Sequence, residues 1–480
     1  MPKNKEGAKD SVDYKKLKFK CGIEIHQQLS GHKLFCNCST GMNEEKETLQ
    51  IKRNLRTSAS ELGEKDIAAE YETRRKRDFI YHCYKGETCL VETDSEPPHN
   101  INEQALETAL SVVKSLKLTI PDKLMIMRKI VVDGSACSSF QRTLVVGMES
   151  ENSYIETQQG KVKLTSICLE EDACKIIRQD SKEVNYSLSR QGIPLLEIRT
   201  DPDIKNPEHA RETAEKLGLI LRSFDNIKRG IGTIRQDVNL SILNKSRIEI
   251  KGFQDLRSMP KIIENEVKRL MKLKTIRPEV RKANSDLTTT FMRPLPGAAR
   301  MYPETDLPLI DPRPISKKLR PTELLTTKLL ILEEKHHLDS STARGIIKKK
   351  INFEEFIKKY KNLDARTIAY ILVEVPKALK TRENLTPSLH QLDTVIAYLD
   401  KGVITKEAVP QVLISLSKHK KLNMNQFKKP DTKQIEQELR HLIKNQPDIT
   451  ANALMGILMK KYRGKIPGKE LMHLIKKIRG

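Results

Sequence analysis

The chain has 480 residues, of which 87 are Lys or Arg and 63 are Asp or Glu, so its formal net charge is +24. Hydrophobic residues make up 38% of the chain, which is enough for a folded core and argues against wholesale disorder. No window approaches the roughly 18 to 20 apolar residues that a membrane span needs, and the lysine-rich N-terminus lacks the apolar stretch of a signal peptide. We therefore expect a cytoplasmic protein.

The predicted elements change in kind along the chain. From about residue 18 to 310, short β-rich runs alternate with helical patterns, including helices at 102–115 and 206–223, which predicts an α+β region. After Pro321 amphipathic helices follow one another, for example at 323–335 and 341–349, and the segment 432–478 reads as three short helices.

Charge follows the same division. Residues 1–310 hold 52 basic and 45 acidic side chains, a net charge of +7, whereas residues 311–480 hold 35 and 18, a net of +17. The helical part therefore has the charge expected of a polyanion-binding region. The alternative is a lysine-rich, solvated helical surface.

Acidic residues and one histidine occur inside strand-like runs. In the run 21–29 the period of two places Glu24 and His26 on one face, a pattern that is also common on ordinary solvated strands. Further acids follow at 170–172, directly after an apolar run, and Glu197 lies inside another apolar strand. A histidine with several carboxylates is a ligand set that suits Mg²⁺ better than Zn²⁺.

Two later strands also have polar faces. One places Arg235, Asp237 and Asn239 together, and the next places Glu249 beside Lys251, which suggests a polar cavity. No Walker-type phosphate loop and no dinucleotide fingerprint occurs in the sequence, so any ATP chemistry would depend on carboxylate-held Mg²⁺ with Arg and Lys clamps.

The eight cysteines all lie at or before Cys174. Four of them, Cys36, Cys38, Cys83 and Cys89, are candidates for a zinc site, although five residues separate the second pair where structural sites usually have two to four. Free buried thiols are the favoured interpretation.

Four strings carry a specific resemblance: GIEIHQQL at 22–29, LEEDA at 169–173, SRQGIPLLEI at 189–198 and RPLPGAARMYPETD at 293–306. With them the chain resembles the GatB/GatE family, and in particular its archaeal branch, the GatE subunits of glutamyl-tRNA(Gln) amidotransferase. The resemblance implies a cradle-like antiparallel catalytic domain at 18–312 after a polar tail at 1–17. A helical domain at 313–430 and a YqeY-like, tRNA-binding tail at 431–480 would follow.

The resemblance also implies an activity. Glu-tRNA(Gln) would be phosphorylated by ATP on its side-chain carboxylate, and ammonia from a GatD-type glutaminase partner would displace the phosphate to give Gln-tRNA(Gln). Alternatives are a GatB-like protein that also accepts Asp-tRNA(Asn), and a non-catalytic tRNA-binding factor.

Site residues are assigned by the same resemblance. The metal set would be Glu24, His26, Glu197 and Glu170 or Glu171; of these two neighbours one should face away, because adjacent strand residues point to opposite faces. Lys129 would steady phosphate or steer ammonia. Residues expected to bind the nucleotide or the 3′ end of tRNA are Arg128, Arg235, Asp237, Asn239, Glu249, Lys251 and Arg300.

One departure from the family stands out. GatE chains usually carry an aspartyl-tRNA-synthetase-like insertion of more than a hundred residues after the helix predicted here at 261–272. Only residues 274–290 separate that helix from the string at 293–306, so we predict that the insertion is missing.

Overall fold

A computed structural model of the chain describes residues 12–54, 65–131, 133–253, 255–296, 301–320, 322–418, 431–447, 449–462, 465–466 and 468–479. The chain divides into two compact units, one ending at Leu324 and the other beginning at Leu325. The first unit mixes strands and helices and the second is helical, which confirms the α+β class followed by a helical region. The finer domain boundaries at 312/313 and 430/431 stay predictions.

The strands, all in the first unit, are β1 (Lys20–Gln28), β2 (Glu47–Asn54), β3 (Asp78–Tyr84), β4 (Met127–Ile130), β5 (Phe140–Met148), β6 (Tyr154–Thr157), β7 (Gly160–Glu171), β8 (Lys175–Gln179), β9 (Glu183–Ser187), β10 (Pro194–Thr200), β11 (Ile234–Ser241), β12 (Ile248–Phe253), β13 (Glu279–Ala283), β14 (Thr289–Pro294) and β15 (Met301–Pro303).

The helices are α1 (Ile67–Arg74), α2 (Glu103–Ser115), α3 (Pro207–Leu221), α4 (Met259–Lys272), α5 (Arg313–Lys318), α6 (Leu325–Glu334), α7 (Ser340–Lys348), α8 (Phe353–Lys359), α9 (Ala365–Ala369), α10 (Val375–Glu383), α11 (Leu389–Asp400), α12 (Val409–Ser417), α13 (Thr432–Asn445), α14 (Ala451–Tyr462) and α15 (Gly468–Arg479). A π-helical turn (Tyr370–Glu374) joins α9 to α10, and a 3₁₀ turn (Lys406–Ala408) precedes α12.

One large sheet dominates the first unit. Its strand order is β14-β13-β12-β11-β1-β10-β7-β5-β4-β15, with β6 paired beside β7. Neighbours are antiparallel except β12 and β13, a parallel pair joined through α4. A smaller sheet has the order β2-β3-β9-β8, in which β3 and β9 are parallel. The resemblance implies antiparallel strands, but two neighbouring pairs, β12 with β13 and β3 with β9, are parallel.

Alternation along the strands positions both the core and the site. On β1, Cys21, Ile23 and Ile25 are buried in the main hydrophobic core, and the residues between them lie on the other face of the sheet. Helices α2, α3 and α4 and the neighbouring strands also contribute to this core. One face of the large sheet is thus covered by helices, and the other carries its polar side chains.

The two long helices expected at 102–115 and 206–223 are α2 and α3. Asn102 caps α2 by accepting a hydrogen bond from the Ala105 amide, and Asn206 caps α3 by accepting one from the His209 amide. Pro207 occupies the first turn of α3, where its missing N–H leaves no hydrogen bond unmade. Both helix starts follow from local sequence alone.

The helical unit has two apolar cores, one spanning Leu332 to Leu413 and one spanning Ile435 to Ile475. The three short helices predicted at 432–478 are α13, α14 and α15. None of the described helices is long and apolar enough to cross a membrane.

Candidate active site on the polar face of the large sheet

The pairing of the strands brings together acidic residues that are far apart in the sequence. Strand β1 lies between β10 and β11, which places His26 opposite Glu197 and Glu24 opposite Asp237. Directly paired residues point to the same face of a sheet, so all four side chains lie on the polar face. The sequence pattern of a single strand could not show this pairing.

His26 and Lys129 meet at one carboxylate. The Nε2 atom of His26 lies 3.4 Å from Oε2 of Glu197, and Nζ of Lys129 lies 3.7 Å from the same oxygen. Lys129 also donates a hydrogen bond of 3.0 Å to Oε2 of Glu170. We call these residues, together with Glu24, the carboxylate cluster.

The electrostatics of the cluster favour ionised groups at its centre. Burial raises the pKa of Glu197, but Lys129 and His26 outweigh burial and hold that pKa well below its ordinary value. Burial lowers the pKa of His26 and of Lys129, yet the neighbouring carboxylates raise both. The pKa of Glu170 is raised, chiefly by burial. Glu170 is therefore more readily protonated than Glu197.

Glu24 connects the cluster to a second polar group. Asn239 donates a hydrogen bond of 3.3 Å to Oε1 of Glu24, and Nε of Arg199 lies 3.7 Å from the same atom. Arg199 also forms an ion pair with Glu197. Burial, reinforced by the charge of Glu197, raises the pKa of Glu24.

Lys251 organises the second group. Its Nζ lies 3.0 Å from Oδ2 of Asp237 and 2.5 Å from Oε1 of Glu249. Burial works against the charged forms, but this pairing lowers the pKa of Asp237 and raises that of Lys251. Together with Asn239, these residues line the polar face beside the carboxylate cluster.

The residues of the carboxylate cluster fit a divalent cation. Ligand atoms of Glu24, His26 and Glu197 all lie within 4.8 Å of one another. Oε1 of Glu197 is buried and accepts no hydrogen bond, although Arg199 lies beside it as an ion pair. Carboxylate oxygens with one imidazole suit Mg²⁺. Glu170 borders this group through Lys129.

Two predicted site residues lie on the opposite face of the sheet. Glu171 accepts a hydrogen bond of 3.0 Å from the Arg142 amide, and its carboxylate pairs with the Arg142 guanidinium. Arg128 donates to Glu304 through Nε at 2.9 Å. The reason is strand alternation: Glu170 and Lys129 take the polar face, so the adjacent Glu171 and Arg128 cannot. We therefore remove Glu171 and Arg128 from the site.

Glu304 bridges Arg128 and Arg142 and so forms a buried network with them. It accepts hydrogen bonds from Arg128 and, at 2.8 Å, from Nε of Arg142, and its side chain is fully buried. Both guanidinium groups also pack over the ring of Phe140. The network ties the segment after β15 to β4 and β5, the strands next to the site.

Arg235 lies on the polar face but is already paired. Its Nη2 donates a hydrogen bond of 2.7 Å to Asp172, which also accepts one of 2.7 Å from Gln28. Asp172 is fully buried, and its pairing with Arg235 lowers its pKa despite burial. Arg235 thus neutralises Asp172, an acid of the 170–172 run. Arg300 lies outside the described residues.

The cysteine group differs from the predicted one. Ligand atoms of Cys36, Cys38, Cys89 and Glu92 lie within 4.8 Å of one another, and the Cys36 thiol donates to Oε1 of Glu92 at 2.8 Å. Cys83, a residue of β3, is instead buried in an apolar cluster with Phe79 and Tyr81 of the same strand. The spacing Cys89-x-x-Glu92 falls within the usual range for paired ligands, whereas Cys83 to Cys89 does not. All eight cysteines are free thiols.

A cleft of about 320 Å³ opens on the polar face beside Lys129 and Arg199. Its lining includes Met125, Met127 and Met301. Sequence reasoning missed this cleft because its walls come from β4, β5, β7, β10 and β15. It also missed Arg199, which the period of two after Glu197 would have placed on the polar face.

Comparison with known proteins identifies the family. The family model described as the GatB/GatE catalytic domain matches residues 19–316, a range that holds every described strand and the whole polar face. The chain belongs to the GatB/GatE family. The resemblance carried by the four sequence strings is thereby confirmed.

Relatives in this family match over nearly the full chain. The chain is 32% identical to the GatE-type (E) component of glutamyl-tRNA(Gln) amidotransferase from Methanococcus vannielii, covering 95% of this chain and 97% of the relative. The protein of the same name from Archaeoglobus fulgidus is 33% identical, with 97% and 98% covered. That of Methanococcus maripaludis strain S2 is 49% identical over 276 residues, which are 57% of this chain and 43% of the relative.

The alignment lengths bear on the missing insertion. The match to the M. vannielii protein extends over 619 positions, whereas this chain has 480 residues, a difference of 139. At least that many aligned residues of the relative therefore have no counterpart here. Their placement after α4 stays a prediction.

Proposed function

We propose that this GatB/GatE-family chain is the GatE-type component of an amidotransferase that converts Glu-tRNA(Gln) to Gln-tRNA(Gln). The observation that carries the proposal is the convergence of Glu24, His26, Glu170 and Glu197 with Lys129 on one face of the sheet. The names of the relatives specify the same substrate. The fold around this face would be the family's cradle.

The chemistry has two steps. An oxygen of the glutamyl side-chain carboxylate bonds to the γ-phosphorus of ATP and ADP leaves; the nitrogen of ammonia then bonds to the acyl carbon and phosphate leaves. Phosphoryl transfer depends mostly on positioning and charge stabilisation, and ammonolysis of an acyl phosphate needs water excluded. A charge-paired cluster with Glu170 and Glu197 buried at its centre would supply the charge stabilisation and part of the shielding from water.

We assign the Mg²⁺ ligands to Glu24, His26 and Glu197, with Glu170 at the border of the set. Mg²⁺ bound there would neutralise phosphate charge and hold phosphate oxygens in place. Lys129, kept protonated by its two carboxylate partners, presents a positive charge to the substrate carboxylate or to a transferring phosphoryl group. Arg199, at the opposite side of Glu197, presents a second one.

The remaining parts of the assembly are also proposals. The helical unit, residues 325–480, holds 31 basic and 16 acidic side chains, a net charge of +15; it would bind tRNA, and its last three helices would form the YqeY-like tail. A GatD-type glutaminase would supply ammonia. The reaction would take place in the cytoplasm.

Glutamine formation tests this proposal. The chain is incubated with ATP, Mg²⁺, ammonium chloride and Glu-tRNA(Gln), without a partner protein, and in parallel with Asp-tRNA(Asn). We expect tRNA-dependent ATP turnover and Gln-tRNA(Gln), with little amidation of Asp-tRNA(Asn). Comparable rates on both tRNAs would instead identify a dual-specificity amidotransferase.

If no product forms, the same reaction is repeated with the GatD-type partner. Activity that appears only then shows that the partner orders the site. Absence of ATP turnover in both reactions would refute the assignment of the chemistry to this chain.

We further propose that Cys36, Cys38, Cys89 and Glu92 hold zinc. Three thiolates and a carboxylate are a suitable tetrahedral set. Elemental analysis of protein purified without added metal should give one zinc per chain in the wild type and a clear loss in Cys89→Ser. Cys83→Ser, the matched control, should keep its zinc. Zinc-free wild-type protein would leave the group as free thiols.

A further inference from the structure

Arg199 faces two carboxylates of the carboxylate cluster at once. Its guanidinium forms an ion pair with Oε1 of Glu197, and its Nε lies 3.7 Å from Oε1 of Glu24. Strand pairing explains this position, because Arg199 lies directly opposite Glu24 and two residues after Glu197 on the same face of β10. Arg199 is therefore a counter-ion placed between two proposed metal ligands.

The two oxygens of Glu197 have different neighbours. Oε2 lies within 3.7 Å of both His26 and Lys129. Oε1 is buried and accepts no hydrogen bond from the described residues, and Nε of Arg199 is likewise buried and donates none to them. The ion pair therefore lacks the bidentate hydrogen bonds that fix an arginine firmly on a carboxylate.

Exposure separates Arg199 from Lys129, the other cation of this group. The Arg199 side chain is 41% exposed, whereas that of Glu197 is 2% exposed. The Lys129 side chain is 19% exposed and donates a hydrogen bond of 3.0 Å to Glu170. Arg199 can therefore move into solvent without breaking a hydrogen bond to a carboxylate, whereas Lys129 cannot.

A divalent cation would need the same carboxylates. Glu24 and Glu197 belong to the set whose ligand atoms all lie within 4.8 Å of one another. Like charges at such short range repel each other strongly where water is partly excluded. A guanidinium and a metal ion should therefore not share these two carboxylates.

We propose that Arg199 and a divalent cation are alternative counter-ions of Glu24 and Glu197. In metal-free protein the guanidinium neutralises the two carboxylates, and when metal binds, Arg199 leaves them and turns toward solvent. The inference rests on the proposed function, which assigns the Mg²⁺ ligands, and it adds a competitor for those ligands. The freed guanidinium is then available to an anionic group of the substrate.

The metal affinity of the full chain tests this competition. Binding of Mn²⁺ is measured by electron paramagnetic resonance of the free ion, without ATP or tRNA, for the wild type, Arg199→Gln and Arg199→Lys. The lysine variant keeps a positive charge at the same position. The matched control is Arg211→Gln on α3, where the arginine is also 41% exposed and pairs with Glu208 at 2.9 Å.

We expect the Kd for Mn²⁺ to fall at least about tenfold in Arg199→Gln, a change of about 1.4 kcal/mol, because the competing charge is removed. The Kd should stay within about threefold of wild type in Arg199→Lys and within about twofold in Arg211→Gln. An unchanged Kd in Arg199→Gln overturns the inference. A higher Kd also overturns it and identifies Arg199 as a support of the metal site.

Melting temperatures give a second readout. Metal-free Arg199→Gln should melt below the metal-free wild type, because the buried carboxylate of Glu197 loses a counter-ion. Saturating Mn²⁺ should reduce this difference by at least about half, since the tighter-binding variant gains more stability from the metal. A difference of the same size with and without Mn²⁺ would assign Arg199 a purely structural role and overturn the inference.

Chemical modification of the wild-type chain gives a measurement that no substitution can disturb. Phenylglyoxal reacts with arginine side chains, and its reaction with the peptide that contains Arg199 is followed by mass spectrometry with and without Mg²⁺. The rate at Arg199 should rise at least about twofold with Mg²⁺, whereas the rate at Arg211 should not change. No rise at Arg199 overturns the inference.

The proposed function is judged separately by glutamine formation. A chain that makes Gln-tRNA(Gln) but binds Mn²⁺ equally well with and without Arg199 keeps its function and loses this competition. Tighter Mn²⁺ binding in Arg199→Gln, in a chain that makes no glutamine, keeps the competition and counts against the function.

Discussion

The two units of the chain place their charges in opposite ways. The sheet unit buries many ionisable side chains, among them Glu170, Glu197 and Glu304. In the described part of the helical unit, no Asp, Glu, Lys, Arg or His is buried. Buried charge is costly unless it is paired, whereas exposed charge acts through long-range attraction. Net charge alone therefore does not show where charged side chains are buried and paired.

The sheet unit has the smaller net charge because its acidic residues are nearly as numerous as its basic ones, and many of them pair within the fold. Such pairing favours fixed positions and protonation states for the groups that we propose to be catalytic. In the helical unit the excess positive charge is exposed to solvent. Exposed basic side chains suit sequence-independent binding to the phosphates of a polyanion. Removing a buried charge should therefore have a larger effect than removing an exposed one.

The largest effect should come from Glu304→Gln. The substitution leaves Arg128 and Arg142 without their shared carboxylate, and breaking a buried ion pair from one side costs about 3 to 5 kcal/mol of unfolding free energy. Urea denaturation measures this cost. Asp306→Asn, which removes an exposed partner of Arg128, is the matched control and should cost under about 1 kcal/mol. Equal costs would contradict a buried network.

The loss of stability in Glu304→Gln should depend on pH. The paired arginines outweigh burial and lower the pKa of Glu304 to about 2, whereas an unperturbed glutamate has a pKa of about 4.3. A depressed pKa contributes stability above the unfolded value and loses it as pH falls through the folded value. The stability difference between wild type and Glu304→Gln should therefore shrink as the pH falls from about 4 toward 2.

Glu197→Gln should come next. It removes the carboxylate that His26 and Lys129 share, and losing one preorganised charged group costs about 10² to 10³ in rate, or roughly 3 to 4 kcal/mol. Glutamine formation should fall by that factor while tRNA affinity stays within twofold. Glu156→Gln, on the exposed side of β6, is the control and should keep full activity. Loss of tRNA binding in folded Glu197→Gln would count against a catalytic role.

A moderate effect is expected for tRNA affinity. The Kd should rise at least about tenfold from about 50 to 300 mM salt, because binding releases counterions from the phosphates. Neutralising three exposed tail lysines, Lys460, Lys469 and Lys476, to Gln should reduce the salt slope by about 2 to 3. The control neutralises Lys117, Lys161 and Lys182 of the sheet unit and should change the slope by less than about 1. Similar salt slopes in the two triple variants would show that tRNA binds to another surface.

The smallest effect should come from Lys461→Gln. Lys461 pairs with Glu438 at 2.6 Å, but its side chain is 61% exposed. Exposed pairs contribute little, so the melting temperature should change by less than about 2 °C. A larger drop would show that ion pairs of the helical unit stabilise its fold, and the contrast between the units would weaken.

Sequence reasoning went furthest where a local rule decides the outcome. The helix starts at Asn102 and Asn206 follow from capping chemistry, and the faces of β1 follow from a period of two. The four strings identified the family, and the family supplied the candidate roles. Helix caps, strand alternation and sequence motifs can be recognised from residues that are close together in the chain.

Pairs of adjacent strand residues show what the sequence alone cannot predict. The sequence shows that Glu170 and Glu171 point to opposite faces, as do Arg128 and Lys129, but it does not say which face is buried under helices. That choice depends on the register of β7 with β10 and of β4 with β5. The one wrong member of the cysteine group, Cys83, has the same cause.

By itself, the amino-acid sequence determined the α+β and helical division, the helix ends, the alternation of the strands and the family. Only the tertiary structure decided that Lys129 and Glu170 join His26 and Glu197, that Glu92 replaces Cys83, and that a methionine-lined cleft lies beside them. The physical reason is distance along the chain: these contacts join strands that lie tens to more than a hundred residues apart, and they exist only once the sheet is assembled.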